Sequence, residues 1–269
     1  MKQTSALIRC PACRRGFLSI GEGVSARCAE CRKEFPVADG MIDLLPAVKQ
    51  TPHFAQRAME WPPLVRIYES RLWRRSPFLA VPFGFSFEKE QEYVLRALDL
   101  QPDARVLDLA CGPGIYTRPI ARAVTRGVTI GLDLSLPMLS YATARAHDEG
   151  VGNIIWLRAS AMEIPLADAA LDCVNCCGAL HLFPDVPRVL AEVARVLKPG
   201  GRFTCGTTRR LDGMSGSVET RMTAWSGVTY RSSEELKSLL EGAGFGNVEV
   251  FHAKRIWQIA SAVRKKSRT

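Results

Sequence analysis

Two sets of residues in this chain have the types and spacing of working chemistry. The first lies in the run VLDLACGPG, residues 106 to 114, where an apolar stretch leads into Gly112 and Gly114. It begins like a dinucleotide fingerprint, but a full G-x-G-x-x-G/A places a third small residue at position 117, which here is Thr117. Asp108, just ahead of the glycines, would repel a pyrophosphate and attract a cation. The two glycines let backbone approach a ligand without side-chain clash. Asp133 closes the next apolar run, GLDLS, 21 residues after Gly112, where an acid can accept both hydrogen bonds of a ribose diol.

The second set is four cysteines. Cys10 and Cys13 form one CxxC, Cys28 and Cys31 another, and 14 residues separate the pairs. Two such knuckles fit four thiolates around a tetrahedral zinc. A redox CxxC would use one pair at the start of a helix in a βαβ setting, which this segment lacks. A segment this small takes its folding energy from the metal, so the zinc is expected to be structural. Five further cysteines are scattered: Cys111 sits at the glycine turn, and Cys173, Cys176, Cys177 and Cys205 lie in apolar runs, where a thiol behaves as a small hydrophobe.

The elements that must position these residues follow from the pattern around them. At 269 residues and 47% hydrophobic, the chain has room for one main domain and a small appendage. From about residue 104, short β-rich runs (RVLDLA, VTIGLD, IIWLRA, LDCVNCC, GRFTCGT) alternate with helical ones (PMLSYATARAHDE, VPRVLAEVARVLKPGG). This alternation calls for a parallel sheet covered on both faces. SSEELKSLLEGAGF reads as a capped last helix, NVEVFHA and IWQIASAV as a terminal hairpin, and residues 208 to 230 as a loop. The expected division is 1–46, a zinc ribbon; 47–100, a helical linker or cap; and 101–269, the main domain. No apolar run approaches a membrane span, and nine cysteines without a leader point to a cytoplasmic protein with reduced thiols or metal ligands.

A nucleoside with an ammonium group and no phosphate satisfies Asp108, the glycines and Asp133 together; S-adenosylmethionine is such a molecule. Residues 90 to 269 resemble the class I S-adenosylmethionine-dependent methyltransferases, through LDLACGPG, GLDLS, RASAMEIPLADAALDCV and ALHLFPDVPRVLAEVARVLKPGG. The resemblance implies a Rossmann-like, doubly wound, mostly parallel seven-stranded sheet. It also implies that Asp108, Ala110, Gly112 and Gly114 border the methionine portion of the cofactor and that Asp133 holds the ribose. Leu134 and Met138 would flank the adenine, with Ala161 and Met162 on its other side. Ser160 stands where the family often has Asp accepting from the adenine amino group, and a hydroxyl accepts more weakly. The ribbon with FPVADGMIDLLP after it resembles the Trm112-like zinc modules that precede some bacterial methyltransferase domains.

A sulfonium methyl donor needs alignment and dryness more than a fixed catalytic residue. His181 in ALHLF is the one candidate base, with a structural or substrate-contact role as the alternative. The expected acceptor is a small organic molecule of the quinone, lipid or secondary-metabolite class, with aromatic and apolar residues at 73, 78, 83, 85, 87 and 225 as pocket candidates. Two alternatives stand beside it: an rRNA guanine-N1 methyltransferase, and a non-catalytic cofactor-binding protein. For RNA speak the net charge of +9, the ribbon, and Arg66, Arg71, Arg74 and Arg75 among Tyr68 and Trp73. Against it, residues 101–252 hold 15 basic and 16 acidic side chains, while 253–269 hold six basic and no acidic ones. The excess is therefore largely a solvated tail, not a footprint on the core.

Overall fold

A computed structural model describes residues 7–20, 25–45, 65, 76, 81–213 and 216–266. Four short strands come first: β1 (Leu18–Ile20), β2 (Ser25–Cys28), β3 (Glu34–Ala38) and β4 (Met41–Asp43). Helix α1 (Phe87–Leu98) precedes the alternating part: β5 (Arg105–Leu109), α2 (Thr117–Ala123), β6 (Val128–Asp133), α3 (Leu136–Asp148), β7 (Ile154–Arg158) and β8 (Leu171–Cys177). A 3-10 turn (Leu180–Leu182), α4 (Val186–Val196), β9 (Leu197–Thr208), α5 (Gly216–Ser226), α6 (Ser233–Gly242), β10 (Phe245–Lys254) and β11 (Trp257–Arg264) complete the chain.

The central strands are apolar on both faces because helices cover both. Leu107, Leu109, Val174, Cys176 and Phe203 pack under Val189, Leu190 and Val193 of α4 and Leu236 and Leu240 of α6. On the opposite side Val106, Cys173 and Cys177 meet Phe87, Val94 and Leu98 of α1 and Ile120 of α2. The α4 residues that bury, Val186, Val189, Leu190, Val193 and Val196, recur at helical spacing and make a single apolar stripe. Helix starts follow side-chain caps: Ser135 accepts from Met138 N at the head of α3, and Ser232 with Glu235 forms a capping box on α6.

The sheet runs β1-β2-β3-β4-β7-β6-β5-β8-β9-β11-β10, eleven strands and not the expected seven. From β7 through β9 the pairing is parallel, whereas β9-β11 and β11-β10 are antiparallel. At the other edge β4 runs parallel to β7, with Met41, Ile42 and Asp43 opposite Trp156, Leu157 and Arg158, and β3, β2 and β1 follow antiparallel. "Mostly parallel" is thus corrected to a parallel centre with antiparallel edges. The cause is the unpaired outer side of β7, an open edge of N–H and C=O groups that the ribbon strands cover.

Two smaller expectations also change. Residues 208–230 contain α5 instead of being only loop. The helix expected to reach KPGG stops at Val196, with Leu197 already extended at φ −71, ψ 143; Lys198 precedes a proline, which disfavours the helical region. Arg66, Tyr68, Arg71, Trp73, Arg74, Arg75 and Phe78 lie outside the described residues. Among the described residues no helix is long and apolar enough to cross a membrane.

Candidate functional site

Every candidate cofactor residue lies at or just past the carboxyl end of a parallel strand, where an open α/β sheet binds its ligands. Asp108 is on β5, and Ala110, Gly112 and Gly114 form the turn after it. Asp133 ends β6, followed by Leu134; Met138 is in the first turn of α3; Ser160, Ala161 and Met162 follow β7; and His181 follows β8.

The glycine turn is a run of left-handed backbone: Ala110, Gly112 and Gly114 have φ of 54°, 53° and 77°. At Gly114 a Cβ would come within 3.0 Å of the Trp156 ring and 3.2 Å of Ala142, so the turn packs on α3 through that missing atom. Nothing lies within 4 Å of where a Cβ on Gly112 would stand. Gly112 N donates to Asp133 Oδ2 at 2.7 Å, and Ser135 N donates to Asp133 Oδ1 at 2.8 Å. The carboxylate therefore ties two loops together, with one backbone N–H on each of its oxygens.

Asp108 is buried at 1% exposure. Thr117 Oγ1 donates to its Oδ2 at 2.5 Å and Asn175 Nδ2 donates to its Oδ1 at 2.7 Å. Burial pushes the carboxyl from 3.8 up to about 6, against the pull of those two donors. Arg118, also buried, donates to Pro113 O at 2.7 Å and to Glu149 at 3.2 Å, bracing the turn from below. Sequence reasoning does not reach Thr117, Asn175 and Arg118 as members of this site. The one signal is Asn175, a polar residue inside the apolar run LDCVNCC.

Among the residues expected to face an adenine, Met138 is buried, and Ser160 Oγ accepts from Met162 N at 3.2 Å, closing the turn after β7. His181 is buried, with Nδ1 at 3.4 Å from Thr207 Oγ1 and its ring edge-on to Trp257, centroids 5.7 Å apart. Burial, with Arg231 second, pushes it down from 6.5 to about 4, so the imidazole is neutral at pH 7. Phe83 packs edge-on against Trp257 at 4.6 Å and Phe85 against His252 at 4.3 Å. Phe87 is buried against Tyr116, and Trp225 is 82% exposed. An open cleft of about 790 Å³ lies beside Phe85 and Arg209.

The four ribbon cysteines converge: their Sγ atoms all lie within 4.8 Å of one another, with Cys10–Cys31 and Cys13–Cys28 each at 3.7 Å. Four sulfurs about 2.3 Å from a tetrahedral zinc are roughly 3.8 Å apart, so the set fits that ion. The knuckles match each other. Arg14 N donates to Cys10 O and Arg32 N to Cys28 O, with Arg14 and Arg32 both left-handed at φ 58° and 59°. A Cβ at Gly16 would strike Cys28 Sγ at 2.7 Å, so that residue must stay small.

Residues 106–201 match the family model described as "Methyltransferase domain". The chain is 37% identical over 124 residues to the demethylmenaquinone methyltransferase of Lactiplantibacillus plantarum, a match covering 45% of this chain and 52% of that one. The chain thus spans about half the length of that relative. To the demethylmenaquinone methyltransferase of Bacillus cereus (strain B4264) it is 29% identical over 191 residues, 61% of this chain and 81% of the other. Haemonchus contortus phosphoethanolamine N-methyltransferase 2, solved with S-adenosyl-L-methionine, shares the fold at TM-score 0.66 and 17% identity, over 87% of this chain and 62% of that one. Residues 106–201 thus match a methyltransferase domain, and the chain shares the Rossmann-like fold of that solved methyltransferase.

Proposed function

We propose that the whole protein transfers a methyl group from S-adenosylmethionine to a small quinone-type acceptor, in the cytoplasm, and carries a structural zinc. Its expected parts are a ribbon (1–46), a linker or cap (47–100), most of which lies outside the described residues, and the methyltransferase domain (101–269). The observation that carries the cofactor reading is the Asp133 carboxylate bonded to Gly112 N beside open space over Gly112. The acceptor class rests on the two demethylmenaquinone methyltransferases that the chain resembles. It is supported by the aromatic Trp257, which packs against both Phe83 and His181.

When bound, S-adenosylmethionine supplies an electrophilic methyl on a sulfonium, which departs as a neutral thioether. What remains for the chain is to orient the reactants and to exclude water. Asp133 would hold the ribose hydroxyls; Leu134 and Met138, with Ala161 and Met162 opposite, would sandwich the adenine; and Ser160 would face its amino group. Ala110, Gly112 and Gly114 would border the methionine portion, and buried Asp108 would favour its ammonium group. His181 stays in its basic form across the physiological range. Burial that holds it at about 4 also makes it a weak proton acceptor, so a structural or substrate-contact role stands beside that of a base.

Cys10, Cys13, Cys28 and Cys31 would hold the zinc. Burial pushes the Cys10 thiol up to about 12, while the backbone N–H groups of Gly16 and Arg15 hold Cys13 down to about 6. A shared cation is what would ionise the four together. The test is methyl transfer from labelled S-adenosylmethionine into a cell extract separated into RNA, protein and lipid-soluble fractions. Label in a quinone of the lipid fraction supports the reading; label in RNA makes the rRNA alternative the function.

A further inference from the structure

Arg158, the last residue of β7, is bonded in two directions at once. Its Nη1 donates to Asp43 Oδ2 on ribbon strand β4 at 2.8 Å, and its Nε donates to Leu134 O at 3.2 Å. The backbone closes the same junction, since Leu44 N donates to Arg158 O at 2.9 Å and Leu45 N to Asp43 Oδ1 at 3.1 Å. On the far side, Ala159 N donates to Asp133 O at 3.0 Å, and the Asp133 carboxylate accepts from Gly112 and Ser135. A continuous run of hydrogen bonds thus joins the ribbon to the turn 133–135.

We propose that Arg158, clamped by Asp43, is a positioning residue for the cofactor turn, so that the N-terminal module sets cofactor affinity from a distance. This rests on the reading that turn 133–135 holds the ribose and flanks the adenine. The side-chain type suits this role, because a guanidinium carries donors in a fixed planar fork and can serve a carboxylate and a carbonyl at once, whereas an ammonium is one point. The Leu134 carbonyl fixes the peptide that ends in Ser135 N–H, the group that Asp133 itself accepts. Loosening that peptide would move the ribose acceptor and the adenine flank together. Side-chain exposures of 29% for Arg158 and 25% for Asp43 leave the pair less screened than a surface ion pair.

The ribbon is also tied to the main domain elsewhere, which provides a control. Arg9 Nη1 pairs with Asp168 at 3.2 Å, and Arg9 N donates to Pro165 O. None of those bonds reaches turn 133–135.

The experiment measures S-adenosylhomocysteine affinity by calorimetry, with thermal midpoint and bound metal recorded for each protein. Asp43→Asn and Arg158→Lys should each weaken binding about three- to tenfold, the range of losing one charge-assisted bond that acts indirectly. Their double variant should lose no more than the worse single, because one clamp is broken twice. Arg9→Gln should stay within about twofold of the parent. Arg158→Lys keeps the ion pair with Asp43 but drops the carbonyl bond, so it separates positioning from simple attachment and stands if Asp43→Asn fails to fold. Arg158→Lys at parental affinity, or Arg9→Gln weakened as much as the clamp variants, overturns the proposal. A parent that does not bind S-adenosylhomocysteine overturns the cofactor reading and the proposal with it. Binding that depends on Asp133 but ignores Arg158→Lys overturns the proposal alone.

Discussion

Thr117 Oγ1 donates to Asp108 Oδ2 across 2.5 Å, from the first residue of α2 to a carboxyl buried on β5. Position 117 is where a dinucleotide fingerprint wants a small residue for helix-strand packing. Here it holds a hydroxyl that fastens an acid instead.

Thr117→Ala therefore leaves a buried carboxylate short of one donor. The expected cost is about 1.5–3 kcal/mol of stability, as for a hydrogen bond to a charged group. Thr117→Ser should recover most of it. Denaturant melts of the three proteins check this, and equal midpoints for Thr117→Ala and the parent would contradict it.

Asp108 and His181 give opposite pH dependences. Asp108 is raised from 3.8 to about 6, so between those values the folded state holds a proton that the unfolded state has released, and stability falls as pH rises. His181 is lowered from 6.5 to about 4, so between those values the unfolded state holds the extra proton, and stability rises with pH. Each contributes on the order of 3 kcal/mol across its window, and in the parent the two largely cancel. Relative to the parent, Asp108→Asn should become more stable as pH goes from 4 to 6, and His181→Asn should become less stable. Melting curves at a series of pH values read this out, and two variants tracking the parent would refute both placements.

The zinc proposed for the four cysteines is tested by Cys28→Ser and by Gly16→Ala. The first removes a ligand and the second drives a methyl into Cys28 Sγ. Both should lower bound zinc in purified protein and raise hydrogen exchange over residues 7–45, while residues 105–264 stay protected. Metal analysis that finds no ion in the parent would end the zinc assignment.

Much of the fold is readable in the chain because it is written in local pattern. The run LDCVNCC is β8 as it stands, and the capping box at Ser232 and Glu235 marks the head of α6. The four cysteines meet because two CxxC knuckles each place a pair of sulfurs through a few covalent bonds. What is not readable depends on residues distant in sequence. Asp43 and Arg158 are 115 positions apart, and Asp108 and Asn175 are 67 apart; no period or spacing links them. The same holds for β4 on the edge of β7, which makes the sheet wider than expected: a strand of three residues carries too little pattern to reveal its partner. Position 117 stands out in the sequence only as a departure, and its partner becomes visible when the fold brings β5 under α2.

Asp133→Ala removes the acceptor for Gly112 N and Ser135 N and, on the proposed cofactor placement, the acceptor for the ribose. S-adenosylhomocysteine affinity should fall about tenfold or more, corresponding to roughly 1.5–3 kcal/mol. Asp133→Asn should fall less than Asp133→Ala, since an amide keeps one acceptor oxygen. Calorimetry giving all three proteins the same dissociation constant would remove Asp133 from the cofactor site.

The most direct measurement is product mass after incubating the protein with S-adenosylmethionine and a reduced demethylated naphthoquinone. A methylated quinol should form with S-adenosylhomocysteine in equal amount, and moderate salt should leave the rate nearly unchanged, because no set of phosphates is being gripped. If no quinone product forms, while rRNA offered to the same protein gains the methyl group at a rate that falls steeply with salt, the small-acceptor account is wrong.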